Sequence, residues 1–248
     1  METIVKQTRE VGTSAGVLLP RKWLNKQVVV TLFSPSKEEI AKDVITLLIK
    51  NNLNEDTKGV YLTGSYARGD YDSNSDIDIL VITEKTNKLI NYNNYEILFV
   101  SEENLLKNLS NLYYTSMLKE AETIINKCLI EKYSKNKPKL NIKETLKEIE
   151  NILKINKDTV ESCKEKKKNV PDGIVYSTVL RLRELYLIKC ILSSKTYSKK
   201  DFLKITGEET YSAYNRVKRN EKEINNISPD EIIHLLDISE KWAKELKE

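Results

Sequence analysis

The chain has 248 residues, 40% of them hydrophobic and 31% charged, with 41 basic against 37 acidic side chains and a formal net charge of +4. That length can bury a sizeable core as one or two domains with a small extension, and the charge is too balanced to mark a nucleic-acid binder by itself. No run approaches the roughly twenty apolar residues needed to span a bilayer, and no signal-peptide pattern opens the chain, so a cytoplasmic protein is expected. Cys128, Cys163 and Cys190 are odd in number and lie far apart, which argues against a Cys-x-x-Cys zinc site and fits a reducing compartment. With only 7 Gly and 5 Pro among abundant Lys, Glu and Asn, long helices are expected.

Residues 1–34 read as a small β extension. Thr3 to Thr8 is β-like, Gly12 to Gly16 is a turn, Val17-Leu18-Leu19-Pro20 is a second run, Arg21 to Leu24 a basic-aromatic turn and Gln27 to Phe33 a Val-rich strand. This order resembles an AbrB-type swapped hairpin, a family whose members pair two copies and bind DNA. The resemblance implies Lys6, Arg9, Arg21, Lys22 and Lys26 on DNA phosphates. The plain alternative, which the residues favour, is a hairpin too small to stand alone that docks or dimerises.

Ser36-Lys37-Glu38-Glu39 is a capping box opening a helix with Ile40, Val44, Leu47 and Leu48 at helical spacing, expected to cover one face of a sheet. Val60 to Thr63 is a short β run, Gly64 permits a sharp turn, and Ser65-Tyr66-Ala67-Arg68 opens a helix whose first N–H groups suit a phosphate. After ten intervening residues Ser65 is followed by Asp76-Ile77-Asp78 and the apolar run Ile79 to Ile82. Strand alternation puts both aspartates on one side and Ile77, Ile79 and Val81 on the other. Two hard carboxylates converging at the head of an apolar strand repel each other unless a cation sits between them, and Mg²⁺ with carboxylates and substrate phosphates is the usual arrangement in nucleotidyl transfer. Asp70, Asp72, Ser73 and Asn74 read as turn formers, while Arg68 either meets phosphate or pairs with Asp70 or Asp72.

Gly-Ser, ten residues, then Asp-x-Asp is similar to the signature of the polymerase-β-like nucleotidyltransferases, in particular the minimal (MNT-type) prokaryotic group, and the likeness covers residues 36–128. The resemblance implies an α+β fold: a mixed sheet flanked by helices. It also implies Gly64, Ser65 and Arg68 at the nucleotide and Asp76 and Asp78 holding two Mg²⁺ ions. A third carboxylate follows on a later strand. Glu96 in Tyr95 to Val100 fills that place, as metal ligand or as acceptor of the attacking hydroxyl's proton. The link from Glu84 to Asn94 is short for a parallel crossover, which usually takes about a dozen residues. A parallel partner would set Glu96 beside the aspartates; a hairpin would leave it at the far end of their strand.

Ser101-Glu102-Glu103 starts a helix, and Tyr113 to Leu129 reads as another, with Tyr113, Tyr114 and Met117 as core. Ser134 to Lys139 is a polar, Pro-broken linker. Beyond it everything reads as helix: Ile142 to Lys168, Val175 to Leu192, a helix capped by Ser198, Thr210 to Val217, and a last helix from the Ser228-Pro229-Asp230-Glu231 start. Short connections favour an antiparallel bundle. Domains are therefore expected at 1–34, 35–133 and 140–248. The bundle resembles the helical partners of minimal nucleotidyltransferases, but the single histidine, His234, has no arginine a few residues before it, as a HEPN ribonuclease would require. Arg181, Arg183, Arg216, Lys218 and Arg219, near Tyr211 and Tyr214, either hold a phosphate-rich acceptor or the leaving pyrophosphate, or merely complement helix dipoles.

The function expected is transfer of AMP from ATP, or of NMP from another NTP, to an acceptor hydroxyl on a protein, RNA or small molecule. The alternative is a DNA-binding, antitoxin-like regulator with a nucleotide-binding fold and little turnover.

Overall fold

The computed structural model describes residues 4, 6, 8–30, 34–72, 75–135 and 140–247. Part of the Thr3 to Thr8 run, residues 31–33, Ser73, Asn74 and the linker residues 136–139 lie outside the described residues. Two compact units are distinguished, Met1–Glu55 with Tyr71–Ser75, and Asp56–Asp70 with Asp76–Glu248.

In the first unit, β1 (Arg9–Val11) and β2 (Ser14–Gly16) form an antiparallel hairpin pairing Arg9 with Gly16 and Val11 with Ser14. The turn is thus Gly12-Thr13 alone, shorter than the Gly12 to Gly16 turn expected. A 3-10 turn, Arg21–Trp23, closes through the Trp23 N–H on the Pro20 carbonyl at 2.8 Å. The described part of the Val-rich run, Gln27 to Val30, forms no strand, and Val28, Val29 and Val30 are exposed. High β propensity without a partner to bury it is not enough to make a strand. Helix α1 (Lys37–Lys50) begins at the expected capping box: the Glu39 N–H donates to Ser36 Oγ at 3.2 Å and the Ser36 N–H to Glu39 Oε2 at 2.7 Å. Its Ile40, Val44 and Leu48 are buried.

The second unit is a mixed five-stranded sheet with helices, followed by a helical bundle. In chain order come β3 (Thr57–Thr63), α2 (Gly64–Arg68), β4 (Ile77–Thr83), β5 (Lys88–Tyr92), β6 (Tyr95–Ser101), α3 (Glu102–Lys107), α4 (Leu112–Glu120), β7 (Glu122–Ile125) and α5 (Lys127–Lys135). The sheet order is β5-β6-β4-β3-β7. Central β4 is buried on both faces, with Ile77, Ile79, Leu80, Val81 and Ile82 all at 0% exposure, so Asp78 is the one polar break in the apolar run Ile77–Ile82. Leu80 and Ile82 share a core with Tyr61, Val100, Leu105, Leu109, Met117, Leu118, Ile130 and Tyr133.

Two departures from the expected elements matter. The stretch read as one helix from Tyr113 to Leu129 is broken by β7, which pairs antiparallel with β3 at the sheet edge. Thr123-Ile124-Ile125 favours strand, and Asn126 at φ 66° stops it. Tyr113 is 52% exposed rather than core, while Met117 is buried.

The bundle comprises α6 (Ile142–Glu165), α7 (Asp172–Leu192), α8 (Lys199–Thr206), α9 (Glu208–Lys218) and α10 (Pro229–Glu245). Leu146, Ile149 and Leu153 of α6 meet Val179, Leu182 and Leu185 of α7 and Ile232, Leu235 and Leu236 of α10 in one apolar core. The Ser228–Glu231 capping box opens α10, and Ser198 caps α8. Sheet and bundle are tied together: Lys119 Nζ of α4 donates to the Cys190 carbonyl at the end of α7 and to the Lys195 carbonyl at 2.7 Å, where a cation suits a helix C-terminus. All three cysteines are free thiols, and no helix among the described residues is long and apolar enough to cross a membrane.

Candidate active site

The site forms where β3 ends and β4 begins. These strands are antiparallel with Thr63 opposite Asp78, so the residue after Thr63 must pass the Asp78 side chain as the chain turns into α2. Only glycine fits there. Gly64 has φ +66°, and a Cβ on it would lie 1.8 Å from Asp78 Oδ2. The short helix α2 follows Gly64 and is ended by the left-handed Gly69. Gly64-Ser65 and Asp76-x-Asp78 are neighbours because the end of β3 pairs with the start of β4.

Glu96 joins Asp78 through the strand order. β5 runs out to the sheet edge, turns at Asn93-Asn94 with Asn93 at φ 53°, and β6 returns between β5 and β4. The result is a parallel β4–β6 pair in which Asp78 lies opposite Glu96. Using an edge strand as the crossover resolves the open question about the short link. Paired residues on neighbouring strands face the same way, so both carboxylates belong to the open end of one sheet face.

These charges strain one another. Burial, and then the Glu96 charge, push the Asp78 carboxyl up to about 7, with Asp76 and Glu120 adding to the effect and Lys218 opposing it. Asp76 is engaged from the bundle: Lys218 Nζ, the last residue of α9, lies 3.2 Å from Asp76 Oδ2. Asp76 attracts Lys218 strongly enough to outweigh burial and hold its ammonium above the usual lysine range.

Glu120, at the end of α4, is a member of this site that sequence reasoning did not single out. Its Oε1 accepts the Gly64 N–H at 3.1 Å and its Oε2 pairs with Arg68 Nη1 at 2.5 Å. Arg68 also pairs with Asp70 at 3.2 Å and lies 5.0 Å over the Tyr197 ring, so the structure places it in a buried clamp. Asp70 in turn accepts the Lys199 N–H at 3.1 Å, joining the glycine turn to the start of α8. The Ser65 hydroxyl has no partner among the described residues. From α7, Arg183 lies 5.5 Å from the Tyr197 ring and donates to the Tyr214 hydroxyl at 3.3 Å, with no carboxylate partner among the described residues. In sequence Glu120 is one more acid in a Lys-Glu-Ala stretch; only its place at the end of α4 reveals it.

Among the described residues no group of three or more acidic, His or Cys side chains that could hold a metal ion is assembled. The donor set nevertheless suits a hard divalent cation: all oxygens, with a carboxyl pushed toward protonation first by burial and then by neighbouring acids whose charge such a cation would offset.

The nucleotidyltransferase domain profile matches residues 44–185, more than half of the chain. The chain belongs to the nucleotidyltransferase family. That match bears out the resemblance to the polymerase-β-like nucleotidyltransferases drawn from Gly64-Ser65 and Asp76-x-Asp78. A Methanocaldococcus jannaschii protein provisionally named a protein adenylyltransferase is 46% identical over 48 residues, 19% of this chain; the match spans 43% of that relative's length. Two solved structures align over 83% of this chain. One is a nucleotidyltransferase-like protein from Exiguobacterium sibiricum, at 13% identity, 75% of that chain and a TM-score of 0.33. The other is a spectinomycin adenyltransferase from Enterococcus faecialis solved with ATP and spectinomycin, at 12% identity, 98% of that chain and a TM-score of 0.43.

Proposed function

We propose that this nucleotidyltransferase moves AMP from ATP to a hydroxyl on a partner protein and releases pyrophosphate, with Mg²⁺ held by Asp76, Asp78 and Glu96. The observation that carries the reading is the pairing of Asp78 with Glu96 across β4 and β6, hard against a turn that only Gly64 can make. The provisional name of the M. jannaschii relative supports AMP as the group and protein as the acceptor.

In this reading the Gly64–Ser65 turn and the Ser65 hydroxyl hold the phosphate chain, and Arg68 holds the turn through Glu120. The acceptor oxygen attacks the α-phosphorus, the bond to the β-phosphate oxygen breaks, and Glu96 takes the hydroxyl proton. Lys218 and Arg183 supply positive charge on the bundle side for the departing pyrophosphate. Bound Mg²⁺ would offset the triphosphate charge and make the acceptor hydroxyl easier to deprotonate. The three domains, 1–34, 35–133 and 140–248, are proposed as extension, catalytic domain and helical domain.

Incubation with ATP labelled at the α-phosphate, Mg²⁺ and proteins encoded beside this one tests the reading. The wild type is expected to release pyrophosphate and label a protein band, while Asp76→Asn and Asp78→Asn, folded by circular dichroism, lose at least about 100-fold in rate. Full turnover by both variants would end the assignment, and labelled RNA or small molecule in place of protein would replace the acceptor.

A further inference from the structure

The ion pair between Lys218 and Asp76 joins the far end of a bundle helix to the first carboxylate of the Asp-x-Asp strand, two elements distant in sequence, at 3.2 Å. We propose that Lys218 is a built-in counter-ion that keeps free divalent metal off the acidic site and yields only to metal already bound to nucleotide, making the site selective for the metal–nucleotide complex. This rests on the reading above that Asp76 and Asp78 are the metal-binding carboxylates.

The argument is electrostatic. The carboxylates of Asp76, Glu96 and Glu120 all bear on Asp78 at one end of the sheet, and among the described residues Lys218 is the cation that touches a carboxylate of the Asp-x-Asp pair. A free divalent ion arriving there must displace the ammonium from Asp76 and then sit beside it, which opposes binding at short range in a partly shielded site. A metal–nucleotide complex brings its own phosphates. They give the displaced ammonium a new anionic partner, so the same lysine that opposes bare metal favours the complex. Both lysine and aspartate side chains are about half exposed, 49% and 47%, so the pair is open enough to exchange partners.

Asp172 and Arg216 set Lys218 in place. Arg216, two residues before it on α9, makes two bonds to Asp172 at the start of α7, at 2.8 and 3.1 Å, and a third to Asn226 at 3.1 Å. That anchor fixes the α9 end from which Lys218 reaches the sheet.

The test is Mn²⁺ binding followed by the electron paramagnetic resonance signal of free Mn²⁺ on the full chain carrying Lys218→Met or Lys218→Arg. Without nucleotide, Lys218→Met is expected to bind Mn²⁺ about tenfold more tightly than wild type, and Lys218→Arg, which keeps the charge, to match wild type. With a non-hydrolysable ATP analogue the difference is expected to vanish or reverse. Equal affinity of Lys218→Met and wild type for bare Mn²⁺, while wild type binds Mn²⁺ with the analogue, overturns the inference and leaves the metal reading standing. No Mn²⁺ binding by any variant with the analogue overturns both, and loss of binding in Asp76→Asn and Asp78→Asn shows that the site measured is this one.

Discussion

At the scale of single residues, Asp78 is held in a state its ordinary chemistry resists. An aspartate titrates near 3.8, but burial and the charge of Glu96 raise this one to about 7. Because the folded form keeps a proton that the unfolded chain has lost, the burden this one group places on the metal-free fold is smallest below the ordinary value. That burden grows as pH rises from about 4 to about 7 and is complete above that. Asp78→Asn removes the titrating group while keeping its shape. In metal-free buffer at pH 8 that variant is expected to be more stable than wild type by up to about 4 kcal/mol, with the gap closing near pH 4, as read by urea unfolding. A variant less stable than wild type at pH 8 would show that Asp78 is ionised and compensated in the fold. On the proposed function, the same residue would illustrate an exchange between stability and activity: a carboxylate that costs folding energy placed where metal is to bind.

At the scale of elements, a buried salt bridge ties α7 to α9 in the bundle. Asp172 is wholly buried and Arg216 has 11% of its side chain exposed. Burial opposes ionisation of Asp172, but the Arg216 guanidinium and the N–H groups of Ile224 and Asn225 outweigh it and hold the carboxyl below its usual range. Its contribution is therefore present at neutral pH and lost as pH falls below that range. Asp172→Ala leaves a guanidinium buried without its acid, and a loss of about 3–5 kcal/mol is expected from denaturant unfolding at pH 7, less when Arg216→Met is combined with it. A loss under about 1 kcal/mol would mean that water reaches Arg216. The helix starts at Ser36, Ser198 and Ser228 were legible in the sequence because capping is local chemistry within three residues. β7 was not, because a four-residue strand at a sheet edge is decided by its partner β3, and Gln27 to Val30 reads as strand only until no partner is found. The candidate site divides the same way. Gly64, Ser65, Asp76 and Asp78 announce themselves by spacing along one strand pair, whereas Glu120 and Lys218 reach it from α4 and α9 and carry no local signal.

At the scale of the second unit, the catalytic sheet and the helical bundle share side-chain ties rather than a bare linker. Lys119 to the end of α7, Asp70 to the Lys199 N–H, Arg68 over Tyr197 and Lys218 to Asp76 all cross between them. Sheet and bundle are therefore expected to unfold together. The two tryptophans make this measurable, since Trp242 lies in α10 of the bundle and Trp23 in the N-terminal unit. In a Trp23→Phe variant, Trp242 fluorescence and far-ultraviolet circular dichroism should give coincident urea transitions, apart from the share of α1 and the β1–β2 hairpin; a separate earlier dichroism transition larger than that share would show sheet and bundle to be independent.

The hairpin that carries β6 back between β5 and β4 has a consequence for how such an enzyme could lose or change its chemistry. Two asparagines at the bend dictate which side of the pleat every later residue of β6 presents. Deleting one of them would slide the strand by a single position and turn Glu96 through the sheet, away from Asp78. On the proposed function, a surface bend would thus govern whether the third acid faces the metal.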